Sequence, residues 1–162
     1  MAVTPVSIPG LSTMGVIVSY GVETVAGTKP ETFTQLQRCN EIDELALDVE
    51  TIDASALEDA ISRYIDGRAD TGGDWSLTFN LTNETQALIE NMISASNTAY
   101  AAGKSTWFQV TVPNLTKSFF IVGRPPQKVP VPSMGQNELL TVAISIAVAD
   151  YKGLDTTVTP TN

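Results

Sequence analysis

Apolar and polar residues alternate with a period of two along several stretches of the chain, the pattern of strands with one covered and one open face. Over residues 75–82, Trp75, Leu77, Phe79 and Leu81 fall on one side and Ser76, Thr78, Asn80 and Thr82 on the other. Over 44–51, Leu45, Leu47 and Val49 are set against Glu44, Ala46, Asp48 and Glu50, so here the open face carries the acids. The longest alternation, over 139–148, sets Leu140, Val142, Ile144, Ile146 and Val148 against Thr141, Ala143, Ser145 and Ala147. Further strands are predicted at 16–22, 106–112 and 118–122. Six strands in a chain of 162 residues predict a mainly β domain, a sandwich or half-barrel of two packed sheets.

Two segments change to a helical period. Asn83 with Gln86 three residues on resembles a capping box. Leu88, Met92, Ala95 and Ala99 then recur on one side with Ile89 and Ile93 beside them. This predicts one flanking α-helix over 84–99 that lays a face on the sheets. Ser55 and Glu58 repeat the capping pattern, and Leu57, Ile61, Tyr64 and Ile65 follow at i, i+4, i+7 and i+8, which predicts a second, short helix. That helix falls inside an insertion over 51–73, too long for a hairpin turn and of the kind that is usually functional or mobile. Its apolar stripe either docks on the same domain or becomes buried on meeting a partner. The Pro-rich run 124–133 reads as a connector or sheet edge. Residues 1–12 are expected to be an N-terminal arm and 152–162 a C-terminal tail around a body spanning 13–151.

Charge sharpens this picture once it is placed along the chain. The net charge is −9, with nine Lys and Arg against eighteen Asp and Glu. Residues 1–40 are neutral, with Glu23 and Glu31 against Lys29 and Arg38, and residues 75–162 balance five acids with five bases. The whole excess lies in 41–74, where eleven acids face only Arg63 and Arg68. A solvated acidic face is the ordinary reading of such a run; a surface that repels something anionic is the sharper one. Tight nucleic-acid binding needs the opposite sign.

Composition removes most chemistry. The chain has no histidine, which excludes Ser-His-Asp, Cys-His and HExxH arrangements. The single cysteine, Cys39, can form no internal disulfide and is expected as a small, half-buried apolar residue. No carboxylate pair can be placed in a pocket wall for glycoside hydrolysis. Asp66, Asp70 and Asp74 lack the alternation of a calcium loop, and no glycine-rich phosphate loop is present. Asn80-Leu-Thr and Asn114-Leu-Thr match the glycosylation sequon but read as strand and turn residues. No catalytic, cofactor-binding or metal-binding residue is predicted. The first residues lack the basic and apolar regions of a signal peptide, and no apolar run approaches the ~18 residues of a membrane span, so a cytoplasmic product with no membrane span is expected.

The order of elements is then similar to a known family. An acidic strand ends in Val49-Glu-Thr-Ile-Asp-Ala-Ser, and Tyr64-Ile-Asp-Gly-Arg-Ala-Asp-Thr-Gly-Gly-Asp follows in the insertion. The strand Trp75-Ser-Leu-Thr-Phe-Asn-Leu, a helix and further strands come next. Together these resemble the major tail tube protein of long-tailed bacteriophages, whose fold is shared by contractile-tail and type VI secretion tube proteins. The resemblance implies a virion protein that is not an enzyme, made in the host cytoplasm and self-assembling into stacked, hexameric rings. It implies a hollow conduit for genome ejection through which DNA passes without specific binding, with a tape measure protein, a distal tail-tip protein and a tail terminator as partners. On that basis Glu44, Asp48, Glu50, Ser76, Thr78 and Asn80 are candidate lumen-facing residues, with Thr141 and Ser145 beside them. Leu57, Ile61, Tyr64 and Ile65 are candidate ring-to-ring contacts in the long loop. The alternatives are the tube of a contractile tail or secretion system and, in a different class, a β-sandwich ligand-binding module, for which Trp75 and Trp107 would have to be exposed rather than packed.

Overall fold

The computed structural model describes residues 10–162; most of the expected N-terminal arm over 1–12 lies outside the described residues. Among those described, the chain forms nine strands in two sheets and one helix, an open sandwich and not a closed barrel. In chain order the strands are β1 (Ile17–Val22), β2 (Thr34–Leu36), β3 (Cys39–Ile42), β4 (Asp48–Asp53), β5 (Tyr64–Asp70) and β6 (Asp74–Asn80). Helix α1 (Asn83–Ala101) follows, then β7 (Thr106–Thr111), β8 (Lys117–Arg124) and β9 (Thr141–Thr156). Seven strands make one antiparallel sheet in the order β2-β1-β7-β8-β9-β6-β3, and β4 with β5 makes a separate two-stranded ribbon.

The long strand β9 makes two layers out of one sheet. Its first half, Thr141 to Ala147, pairs with β6, and its second half, Ala147 to Thr156, pairs with β8. Register shifts opposite Phe120/Ile121 and Val122/Gly123 leave extra residues on β9, and Gly153 there adopts a positive φ of 74°. Such bulges add local twist and bend a strand, which lets β9 leave one layer and enter the next. Gly123 sits at the crossing. A Cβ there would stand 2.6 Å from the Ile146 side chain and 2.9 Å from the Ala147 carbonyl oxygen.

Period-two alternation supplies the core between the layers. Trp75, Leu77 and Phe79 of β6 and Val142, Ile144 and Ile146 of β9 meet Val18, Phe108 and Ile121 from the other layer, and Ile89, Met92 and Ile93 of α1 join them. The Trp75 ring packs edge-on to Phe108 and its indole N–H donates to the Asp43 carbonyl at 2.8 Å. The helix starts at Asn83, the expected cap, so the observed cap is one residue earlier. Thr82 and Thr85 form the reciprocal capping box in place of Asn83 and Gln86, since Thr82 keeps an extended backbone with its hydroxyl aimed at the first turn.

A second, smaller cluster of Phe33, Trp107, Phe120 and Val122 lies on the opposite face of β7 and β8, with Val158 against it. Residues 152–156, expected as tail, are the end of β9. After them, Val158 exchanges hydrogen bonds with the buried Gln109 side chain, and Thr161 bridges to Thr34. Glu23 closes one end of this layer. Its buried carboxylate accepts from the Trp107 indole at 2.7 Å and from the Ser105 and Gly27 amides at 3.0 Å each. Burial pushes its pKa up, but these three donors and nearby Lys152 outweigh it and hold the acid below its ordinary range.

Candidate assembly interface

The segment expected as a loop with a short helix is the ribbon of β4 and β5. The pairs Asp48 with Asp70, Val49 with Ala69, Thr51 with Asp66, Ile52 with Ile65 and Asp53 with Tyr64 zip it antiparallel. The predicted helix over Leu57, Ile61, Tyr64 and Ile65 does not form. Ser55, expected to cap it, instead takes the amide of Arg63 at 2.8 Å. Asp59 takes the Ala56 amide at 2.8 Å and the Arg63 guanidinium at 3.2 Å. These side-chain bonds fix a turn at the ribbon tip, the local alternative to a helix that Ser and Asp favour. Tyr64 and Ile65 therefore lie in β5, and only Leu57 and Ile61 lie in the tip.

The ribbon is open on both faces. Val49, Ile52, Tyr64 and Ile65 are each more than half exposed, Ile61 is 79% exposed and Leu57 is fully exposed. An isolated two-stranded ribbon is marginal in water, and these apolar side chains are left half or more uncovered by their own chain. All four residues named as ring-to-ring candidates are thus on one exposed element. So is most of the charge: Asp48, Glu50, Asp53, Glu58, Asp59, Asp66 and Asp70 stand there against Arg63 and Arg68.

The lumen candidates divide between two places. Ser76, Thr78 and Asn80 lie on the outer face of β6, half-buried, in register with Ser145, Ala143 and Thr141 of β9. From Ser76 to Asn80 that face is small, polar and uncharged, with Asp74 at its end opposite Ala147. Asp48 and Glu50 are two residues apart on β4, in the ribbon, and Glu44 lies in the exposed link between β3 and β4. The predicted strand over 44–51 is split. Leu45 packs on the core, while Leu47 and Val49 leave it. The structure therefore does not bring the three acids onto the sheet face of Ser76. It brings Glu41 there instead, opposite Thr78 on β3, in a short strand whose Cys-Asn-Glu-Ile sequence carries no clear alternation. Asn40 donates to the Asn80 side chain at 2.7 Å on the same edge.

Little else offers chemistry. Cys39 is half-buried, and burial pushes its thiol up to about 11. Among the described residues, no three His, Cys, Asp or Glu side chains converge as metal ligands, and no helix is long and apolar enough to cross a membrane. An apolar cleft of about 220 Å³ opens at the end of the sandwich between Leu45, Trp75, Phe119 and Tyr151.

The fold is one found in tail-type assemblies. The chain matches a chain of a solved structure of the tail of an empty GTA particle with C6 symmetry, at a TM-score of 0.56 and 13% identity, over 91% of this chain and 99% of that one. It also matches a chain of the six-fold symmetrised baseplate of the anti-feeding prophage, at a TM-score of 0.52 and 12% identity, over 91% of this chain and 96% of that one. No family model matches the chain, and no curated protein matches its sequence.

Proposed function

We propose that this chain is a structural subunit of a phage-type tail, and that its copies build the tail tube as stacked, six-membered rings. The observation that carries the reading is the ribbon, an element with apolar residues on an exposed frame that its own body leaves bare, on a fold shared with chains of two six-fold assemblies. Burial of that frame against a neighbouring copy would supply both the missing apolar contacts and the ribbon's rigidity. Leu57, Ile61, Tyr64 and Ile65 are the ring-to-ring contacts in this proposal.

The channel wall is formed by the outer face of β6 and the first half of β9, with Ser76, Thr78 and Asn80 presenting hydroxyls and amides and Glu41 at its edge. Glu44, Asp48 and Glu50 extend the anionic surface at the mouth of each subunit's share. The hydroxyls, amides and carboxylates of this wall offer phosphates nothing to hold, and Arg124 at its edge shares a groove with Asp74, so DNA moves without sticking. A tape measure protein inside the tube and end-capping proteins at the tip and terminus are the partners such a tube takes, and the virion is its destination.

The test is electron microscopy of the purified protein, concentrated, beside a variant in which residues 49–69 are replaced by a two-residue turn. Hollow tubes from the first and a folded, unpolymerised monomer from the second are expected. Tubes from the deletion variant sink the role of the ribbon, and a wild-type monomer at all concentrations sinks the tube. A map of the tube reads the wall assignment as well, which is wrong when Ser76 and Thr78 lie on the outer surface.

A further inference from the structure

The acidic ribbon has a counterpart on the body. At the end of α1, Lys104 and Arg124 line a cleft of about 110 Å³ beside Tyr100, floored by Gly123, Ala147 and Ala149. No acidic side chain lines it. Arg124 stacks its guanidinium on the Tyr100 ring at 3.6 Å, and among the described residues neither Arg124 nor Lys104 has a carboxylate within salt-bridge distance. The last carbonyls of α1 are already taken by the backbone amides of Ala102, Gly103 and Lys104, so both cationic side chains are left free. A guanidinium fixed by stacking presents its remaining N–H edge for a bidentate carboxylate.

On the ribbon, three carboxylates have other duties, and Asp48, Glu50 and Asp66 lie along the strands, away from the tip. Asp53 accepts the Ser55 amide, Asp59 holds the tip and Asp70 accepts the Gly72 amide. Glu58 stands at the tip, exposed, next to the fully exposed Leu57. The tip does not reach the cleft of its own chain, which no ribbon residue lines. Asp74, at the ribbon's root, lines a groove with Arg124, and strands of six and seven residues carry the tip ~20 Å away from that root.

We propose that the Lys104–Arg124 cleft is the socket for the ribbon tip of a second copy of this chain. Glu58 bridges the two cations and Leu57 lies against the open side of Tyr100. This rests on the tube reading and names the surface that receives the ribbon. The contact is head-to-tail: tip and socket are different surfaces, so each bound copy still offers a free one of each, and the contact propagates into rings or filaments instead of closing as a dimer.

Charge exchange tests it, with polymer growth followed by light scattering and microscopy, and circular dichroism confirming the fold of each variant. Glu58→Lys and the double variant Lys104→Glu with Arg124→Glu should each lower the association constant roughly tenfold or more. The chain carrying Glu58→Lys with Lys104→Glu should recover most of the lost growth. If loss of the Arg124 stack unfolds the double variant, Glu58→Lys and its combination with Lys104→Glu carry the test alone. Growth indifferent to these charges, or no recovery on exchange, overturns the socket while leaving the tube standing. Failure of the wild-type chain to polymerise overturns both.

Discussion

The body and the ribbon obey opposite rules. In the body, Trp75, Phe79, Phe108, Phe120 and Ile144 are covered almost completely, and among the described residues no buried side-chain polar atom lacks a partner. In the ribbon, Ile52, Leu57, Ile61 and Ile65 face solvent, and the polar side chains spend their hydrogen bonds on the local turn. The first is what a self-sufficient fold needs. The second is an element whose cost in ordered backbone is not returned by its own chain. The difference separates the stability of the body from the assembly role proposed for the ribbon, and substitutions in the two regions should read out in different experiments.

The largest contrast comes from paired truncations. Trp75→Ala removes a buried ring and its bond to the Asp43 carbonyl and is expected to cost about 3–5 kcal/mol in urea unfolding of the monomer. Leu57→Ala, on a side chain that touches only water, should leave that midpoint within about 0.5 kcal/mol. A Leu57→Ala monomer destabilised as much as Trp75→Ala would mean that the tip docks on its own body.

How legible this contrast was in the sequence depends on burial. The β6 and β9 alternations forecast the core correctly because every second residue there is large, apolar and covered, so periodicity and structure share one cause. The ribbon offered no such guide. Leu57, Ile61, Tyr64 and Ile65 fall at helical spacing, but with nothing packed on them the spacing was never enforced, and Ser55 and Asp59 settled the segment as a turn. β2 and β3 went unread because strands of three and four residues are too short to show a period. The concentration of acids over 41–74 was visible by counting. That Asp48 and Glu50 stand on a ribbon while Glu41 shares the Ser76 face required the pairing of β3 with β6. Glu23 was invisible as a structural acid because its donors Ser105 and Trp107 lie more than eighty residues away.

Glu23 gives an intermediate effect that belongs wholly to the body. Glu23→Gln keeps the shape but gives up the charge that three donors address, and a loss of about 1.5–3 kcal/mol is expected at neutral pH. The sign with pH follows from the lowered pKa. The unfolded chain titrates near the ordinary value of about 4.3. The stabilisation is therefore fully present above that value and is lost as pH falls through the lower, folded value. Wild-type stability should begin to fall toward that of Glu23→Gln as pH drops below the ordinary value and meet it only below the folded one, as measured by thermal unfolding across pH. A gap that stays constant down to pH 2 would show that the carboxylate is not the source.

The smallest effect isolates the ribbon itself. Ile52 and Ile65 stand directly opposite each other, and a cross-strand apolar pair contributes about 0.2–1 kcal/mol. Ile52→Ala should therefore leave the unfolding of the body unchanged, while hydrogen exchange of the ribbon amides speeds up by roughly 1.5- to 5-fold. Local opening and global unfolding are separate equilibria when an element packs on nothing else, so only the first can respond. If the melting temperature of the whole chain fell together with ribbon protection, the ribbon and body would be one cooperative unit, and the division drawn between them would be wrong. In polymerised protein the same substitution should change ribbon exchange far less than in the monomer, because contacts with a neighbouring copy would then hold Ile65 and Tyr64 in place of the lost partner.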